Sequence, residues 1–195
     1  KEAETEVILV EYGIPTRKFS EAAMACLPGS DFVVTEEHVQ SRWDLRKDWT
    51  ICSVDPPGCT DIDDALHYRR LNDNEVEIGV HIADVTAFVA HDSALDREAA
   101  ERGTTVYLVD RRIEMFPPLL SGNLCSLRPN VERLAFSALI RMSIDGTVKA
   151  AEFGRSVIMS SAALTYQQAQ ERIDSARKRT AADSNAAVDN ITDNL

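Results

Sequence analysis

The sequence predicts an α/β domain built on a mixed or mostly antiparallel sheet with flanking helices. Three observations predict it. Two pairs of β-rich runs are each joined by a short polar turn, at Asn72-Asp73-Asn74 and at Asp145-Gly146. Helix-capping residues stand outside these pairs, at Ser20, Ser93 and Thr165. The composition is globular, with 195 residues, 44% hydrophobic and 27% charged. That suffices for one large domain or two small ones. It excludes a wholly disordered chain, a collagen-like chain and a disulfide-stapled miniprotein. No apolar run approaches the roughly 20 residues a membrane helix needs.

Residues 7–12 (VILVEY) read as a short strand that Pro15 breaks. Ser20 caps a helix over 21–27, ended by Pro28-Gly29. Residues 31–49 read as polar and irregular. Thr50 to Val54 is a strand running into Asp55-Pro56-Pro57-Gly58, which stops it hard. Ala65–Arg70 and Val76–Val85 form a hairpin; Val76, Ile78, Val80 and Ile82 alternate with Glu77, Gly79 and His81, so one face is buried. Ser93 caps a helix over 94–102 closed by Gly103. Thr104–Val109 is β-rich, and 110–130 reads as a long loop with Pro117, Pro118, Gly122 and Pro129. Leu134–Ile144 and Val148–Ile158 form the second hairpin. Thr165 starts a helix to about Ile173, and 175–195 is a polar tail. The chain thus divides into a lead-in (1–49), a central region (50–174) and the tail. Lys1-Glu2-Ala3-Glu4 is neither a signal peptide nor an initiating methionine, and the expectation is a domain cut short at its C-terminal side.

The formal net charge is −11, which argues against a simple nucleic-acid coat. Any nucleic-acid contact must be local. Between Arg102 and Arg141 six arginines face Asp110, Glu114 and Glu132, a local excess of positive charge. Cys26, Cys52, Cys59 and Cys125 form no C-x-x-C pair and read as reduced, mostly buried thiols rather than a zinc site.

The informative segment is Asp55-Pro-Pro-Gly-Cys-Thr-Asp61-Ile-Asp63-Asp64. A turn bent by Pro56, Pro57 and Gly58 can bring four carboxylates together. Two carboxylates about 4 Å apart repel by roughly 4 kcal/mol at an effective dielectric of 20. Such a cluster persists if it is splayed into water, protonated, or bridged by hard divalent cations, which favour oxygen ligands. A solvated acidic turn is the plain alternative. An EF-hand loop from Asp61 fails, because its sixth and twelfth positions hold Leu66 and Asn72. A D-x-D phosphatase wants a hydrophobic strand leading straight into the first Asp, whereas Pro-Pro-Gly-Cys-Thr precedes Asp61. Neither a phosphate-binding G-x-x-x-x-G-K-[ST] loop nor a G-x-S-x-G elbow is present.

Val54-Asp55-Pro-Pro-Gly-Cys-Thr-Asp61-Ile-Asp63-Asp64-Ala65-Leu66-His67 resembles the catalytic (RNB) domain of the RNase II and RNase R exoribonuclease family. Further blocks follow in order: Val80-His81-Ile82-Ala83-Asp84-Val85, Gly103-Thr-Thr-Val-Tyr107-Leu, Asp110-Arg111-Arg112-Ile113, Asn123-Leu-Cys125-Ser-Leu127 and Ala163-Leu-Thr-Tyr166. The run Asp55-Pro-Pro-Gly-Cys-Thr is most similar to the branch of that family serving the eukaryotic exosome.

The resemblance implies a hydrolytic, processive 3′→5′ exoribonuclease on single-stranded RNA that releases nucleoside 5′-monophosphates. It implies Asp55, Asp61, Asp63 and Asp64 as the catalytic, metal-binding set for Mg²⁺ or Mn²⁺, with two ions when substrate is bound. It places Tyr107 where a base stacks and Tyr166 near the active site; Arg111, Arg112 and Arg128 are phosphate contacts to test. His81 and Asp84 are expected to be structural. The implied partners are RNA and exosome core subunits, in nucleus and cytoplasm. A non-catalytic RNA-binding or scaffold module of the same fold is the alternative. The family's domain is longer, and its later part supplies a second aromatic, an arginine and a further acid. This piece alone is therefore expected to be inactive or very weak, and to expose apolar surface.

Overall fold

The computed structural model describes residues 2–178. Most of the expected polar tail lies outside the described residues. The elements among the described residues run in the order α1 (Glu2–Glu11), α2 (Glu21–Met24), α3 (Glu36–Gln40), β1 (Trp43–Leu45), β2 (Ile51–Asp55), β3 (Asp64–Arg70), β4 (Glu75–Ala83), α4 (Ala94–Arg102), β5 (Val106–Tyr107), β6 (Arg112–Ile113), β7 (Glu132–Ser143), β8 (Val148–Met159) and β9 (Ala162–Thr165). Residues 166–178 are helical.

Seven strands form one sheet in the order β1-β8-β7-β4-β3-β2-β9, and β5 pairs with β6 separately. The inner pairs are antiparallel, and both edge pairs, β1 with β8 and β2 with β9, are parallel. Only Ser160 and Ser161 separate the end of β8 from the start of β9, although these strands lie five places apart. A flat sheet would set them about 24 Å apart, whereas so short a connection reaches about 11 Å. The sheet therefore curls until its edges approach. Ser161 N–H donates to Ile51 O at 2.7 Å, fixing the crossover.

Both predicted hairpins form. Gly146, at φ +91°, takes the left-handed turn position between β7 and β8. The caps also form: Ser20 Oγ accepts from Ala23 N–H and Ser93 Oγ from Asp96 N–H. At Thr165 the box is reciprocal, with Gln168 N–H donating to Thr165 Oγ1 and Thr165 N–H to Gln168 Oε1.

Residues 7–12 depart from expectation. They belong to helix α1 and its end, not to a strand. The apolar run does not line one buried face: Leu9 is 2% exposed but Val10 is 80% exposed. With one anchor and four glutamates, local hydrogen bonding suits a helix better than an unpaired strand. Residues 31–49 are less irregular than expected, since Thr35 and His38 make a capping box for α3 and β1 adds to the edge of β8. The helix after Ser20 stops at Met24, and the 110–130 loop contains β6 and a π-helical turn at Leu120–Leu124.

The buried face of β4 is also unexpected. His81 is fully buried and Glu77, Gly79 and Ala83 are buried with it, while Ile82 is 45% exposed. The small and polar positions face the helices because the main core, Ile51, Ala65, Ala83, Ala135, Leu95 and Leu120, lies on that side. Leu66, Tyr68, Ile82, Phe136 and Phe153 remain exposed on the opposite face. That open face accords with the expected apolar exposure.

A buried polar line replaces apolar packing across the sheet. His67 Nδ1 lies 2.9 Å from His81 Nε2, His81 Nδ1 2.7 Å from Ser137 Oγ, and Ser137 Oγ 2.6 Å from Ser156 Oγ. Glu77 Oε1 stands 3.5 Å from His67 Nε2 and is paired with Arg69. Beside it, Arg42 Nη2 and Asp84 Oδ2 form a buried ion pair at 2.7 Å. His81 and Asp84, expected to be structural, are both buried and engaged by these partners. All four cysteines are free, but only Cys125 is buried.

Candidate active site

Strand β2 ends at Asp55, and the chain turns at once. Cys59 N–H closes on Pro56 O at 3.2 Å, and Gly58 sits at φ +80°, a conformation that disfavours side chains. The returning segment is clamped from below. Ile62 N–H donates to Ser126 Oγ, Ser126 Oγ–H donates to Thr60 O, and Leu127 N–H donates to Ile62 O. Ala83 N–H holds Asp63 O at 2.9 Å, and Asp64 opens β3 opposite Ile82. Fully buried Ser126 is a positioning residue without an assigned role in the sequence reading. Its signal was the block Asn123-Leu-Cys125-Ser-Leu127.

Asp63 feels the other three carboxylates. Partial burial pushes the Asp63 carboxyl up, and the charges of Asp61, Asp64 and Asp55 push it further, although the side chain still reaches solvent. The Asp63 carboxylate has neither a hydrogen bond nor an ion pair among the described residues. Asp55 Oδ2 is buried without a hydrogen-bond partner among the described residues.

Asp61 differs. On the β5–β6 ribbon Tyr107 and Arg112 sit directly opposite each other, and both reach Asp61. Tyr107 Oη donates to Asp61 Oδ2 at 2.6 Å, and Arg112 Nη1 to Asp61 Oδ1 at 3.0 Å. Burial works to raise the Asp61 carboxyl, but these two donors outweigh it and hold it below the usual range. The same hydrogen bond, helped by burial, pushes the Tyr107 phenol up to about 12. Arg112 also pairs through Nε with Glu114.

Tyr107 is 67% exposed, at the edge of a cavity of about 460 Å³ floored by Ile82, Val85, Phe116 and Leu120 and walled by Asp61 and Asp63. An apolar floor beside acids suits a flat ring attached to a charged backbone. Tyr166 follows Thr165, which stands in register with Asp55 across the parallel β2–β9 pair, so it lies one residue beyond the acidic end of β2. Arg111 turns instead to Glu6 and Asp110, and Arg128 to Asn123.

The donor chemistry fits a hard divalent cation: clustered carboxylates, an orphaned buried oxygen on Asp55 and an uncompensated Asp63. Among the described residues, no three His, Cys, Asp or Glu side chains converge as one ligand set. Asp61 is the member whose oxygens are already taken.

The family model described as the RNB domain matches residues 42–195. Exosome complex exonuclease RRP44 of Mus musculus is 55% identical over 176 residues, covering 90% of this chain and 18% of that protein. DIS3-like exonuclease 2 of Schizosaccharomyces pombe is 48% identical over 170 residues, covering 87% of this chain and 18% of that protein. This chain therefore spans about a fifth of the length of these relatives. Among solved structures, Mycoplasma genitalium RNase R in complex with ribose-methylated single-stranded RNA matches with TM-score 0.78 and 26% identity, over 87% of this chain and 26% of that one. Yeast Ssd1, a pseudonuclease, matches with TM-score 0.66 and 25% identity, over 76% of this chain and 18% of that one. The acidic strand ends, the curled sheet that carries them and the match over residues 42–195 agree: the chain belongs to the RNB-domain family.

Proposed function

We propose that this chain carries the acidic centre of a metal-dependent 3′→5′ exoribonuclease acting processively on single-stranded RNA and releasing nucleoside 5′-monophosphates. One observation carries the reading. Asp55, Asp61, Asp63 and Asp64 are gathered at the ends of β2 and β3, with uncompensated charge on Asp63, beside a cavity edged by exposed Tyr107. The relatives named as exonucleases and the RNA-bound RNase R support the same direction.

The four aspartates would hold Mg²⁺ or Mn²⁺. Such ions, when bound, supply activation of water and stabilisation of the leaving oxygen. This chain's own residues do the rest. The Pro56-Pro57-Gly58 turn and the Ser126 clamp fix where the carboxylates stand. Tyr107 offers a face on which any base can stack, worth roughly 1–3 kcal/mol per base. Tyr166 adds a second aromatic near Asp55. Arg112, Arg111 and Arg128 would each contribute to the backbone path on leaving a present partner, Asp61, Glu6 or Asn123. Exosome core subunits are the proposed protein partners, and nucleus and cytoplasm the proposed locations, from the likeness to exosome-type relatives.

A chimera tests this reading. Residues 5–175 replace the matching segment of the mouse relative, and 5′-labelled single-stranded RNA is incubated with Mg²⁺ or Mn²⁺. Shortening from the 3′ end that falls at least about a hundredfold in Asp63→Asn is the expected result. The likeness to a pseudonuclease favours one alternative, a non-catalytic RNA-binding module. A folded chimera that binds RNA but never shortens it would replace the first reading with the second.

A further inference from the structure

Arg112 stands between two cavities. On one side it lines the acidic pocket with Pro57, Cys59, Asp61 and Tyr107. On the other it lines a cavity of about 420 Å³ walled by Arg17, Lys18, Arg102 and Arg111 over Phe19 and Ile113. Its guanidinium is divided: Nη1 donates to Asp61 and Nε pairs with Glu114, while Nη2 makes no hydrogen bond among the described residues. In the basic cavity Arg17 pairs with Glu101 and Arg111 with Glu6 and Asp110, and Glu114 joins the lining, which leaves the charges of Arg102 and Lys18 without an ion pair among the described residues. Arg102 donates to the carbonyls of Arg17 and Glu114 and stacks over Phe19, and Lys18 makes no ion pair among the described residues.

Of the four clustered aspartates, Asp61 alone has both oxygens engaged by donors among the described residues, and Arg112 supplies the positive charge. A guanidinium on Oδ1 occupies a direction in which a cation would approach. Arginine prefers bidentate phosphate or carboxylate partners, and here it has only single contacts with each of two carboxylates.

We propose that Arg112 is an exchangeable internal cation: it neutralises Asp61 while the site is empty, and moves to a phosphodiester in the basic cavity when a polynucleotide arrives, leaving Asp61 free for a divalent ion. Polynucleotide and metal then bind cooperatively through one side chain, and by linkage each strengthens the other equally. This rests on the metal and RNA reading above. In this scheme Arg112 acts on the metal site through Asp61 and on the polynucleotide directly.

The test uses Mn²⁺ binding by the 195-residue chain, read by calorimetry and by electron paramagnetic resonance of free Mn²⁺. Asp63→Asn is the control for the metal site itself. Wild type is compared with Arg112→Gln, which removes the charge, and Arg112→Lys, which keeps it. Each titration is run with and without a single-stranded DNA oligonucleotide, which an attack on ribonucleotides would leave intact. Removing one positive charge from beside the site tightens Mn²⁺ about five- to tenfold in Arg112→Gln, while Arg112→Lys stays within about twofold of wild type. The oligonucleotide tightens Mn²⁺ in wild type by a larger factor than in Arg112→Gln. Phosphate ligation of the metal is common to both proteins, so the difference isolates Arg112. Unchanged or weaker Mn²⁺ binding by Arg112→Gln overturns the exchange, as does an equal oligonucleotide effect in the two proteins. Mn²⁺ binding that survives Asp63→Asn, or is missing from the wild type, instead overturns the underlying metal reading.

Discussion

Lowering the pH from 8 to 5 should weaken this fold through His81, before most carboxylates begin to titrate. His81 is fully buried against His67 and Ser137, and burial, with a smaller push from His67, lowers its pKa from 6.5 to about 4. In the neutral pair one ring nitrogen donates and the other accepts. A second proton on His81 would have to displace the His67 contact or reverse the Ser137 hydroxyl. The folded pKa lies below the unfolded one, so this stability is fully present above 6.5 and drains away as pH falls toward 4. Those two values give a loss of about 2 kcal/mol between pH 8 and pH 5, and about 3 kcal/mol below pH 4. His67 is lowered by burial as well and acts in the same direction, with Glu77 opposing. Arg69, Arg42, Asp84 and Arg155 complete the charges around the line.

Urea denaturation at pH 8, 6.5 and 5 measures the loss, beside His81→Gln, which cannot titrate. The wild-type midpoint should fall across that range and the His81→Gln midpoint should fall much less. A direct readout does not depend on the variant folding: the His81 ring resonance should not titrate above pH 5. A His81 midpoint near 6.5, or parallel midpoints for the two proteins, would refute the reasoning.

The same line makes Gly79→Ala severe. A methyl there would meet the His67 ring at 2.1 Å, so the His67–His81 contact must open. A loss of at least about 3 kcal/mol in urea denaturation is expected. Leu95→Ala, which empties a fully buried position on α4, should cost about 2–5 kcal/mol and leave Mn²⁺ affinity unchanged, since Leu95 lines neither cavity beside Asp61.

Much of this molecule was legible in sequence because the signals were local. A turn at Asp145-Gly146, caps at Ser20, Ser93 and Thr165, and the break at Pro56-Pro57-Gly58 each need only a few neighbouring residues. The aspartates were legible because the turn that gathers them is written beside them. What was missed depends on distant partners. Trp43–Leu45 is a strand because β8 offers an edge more than a hundred residues later. The polar face of β4 is buried because His67, Ser137 and Ser156 arrive from three other strands to satisfy His81. Residues 7–12 look like a strand, yet they pair with no strand among the described residues and fold as part of α1 and its end instead. The pull of Tyr107 and Arg112 on Asp61 follows from a two-residue ribbon whose register no local pattern announces.

The two parallel edge pairs also set the order in which this chain can be completed. Trp43 waits for Ser156, and Cys52 waits for Ala162. Contacts closed over such loops raise the contact order and slow folding. During synthesis the hairpins can form as they emerge, but Asp55 gains its neighbour Thr165 only after another 110 residues have been added. The acidic centre is then among the last parts to be seated. A nascent chain would hold its strands long before it holds its chemistry, and pulse-labelled hydrogen exchange should find β3, β4 and β7 protected before the β2–β9 seam.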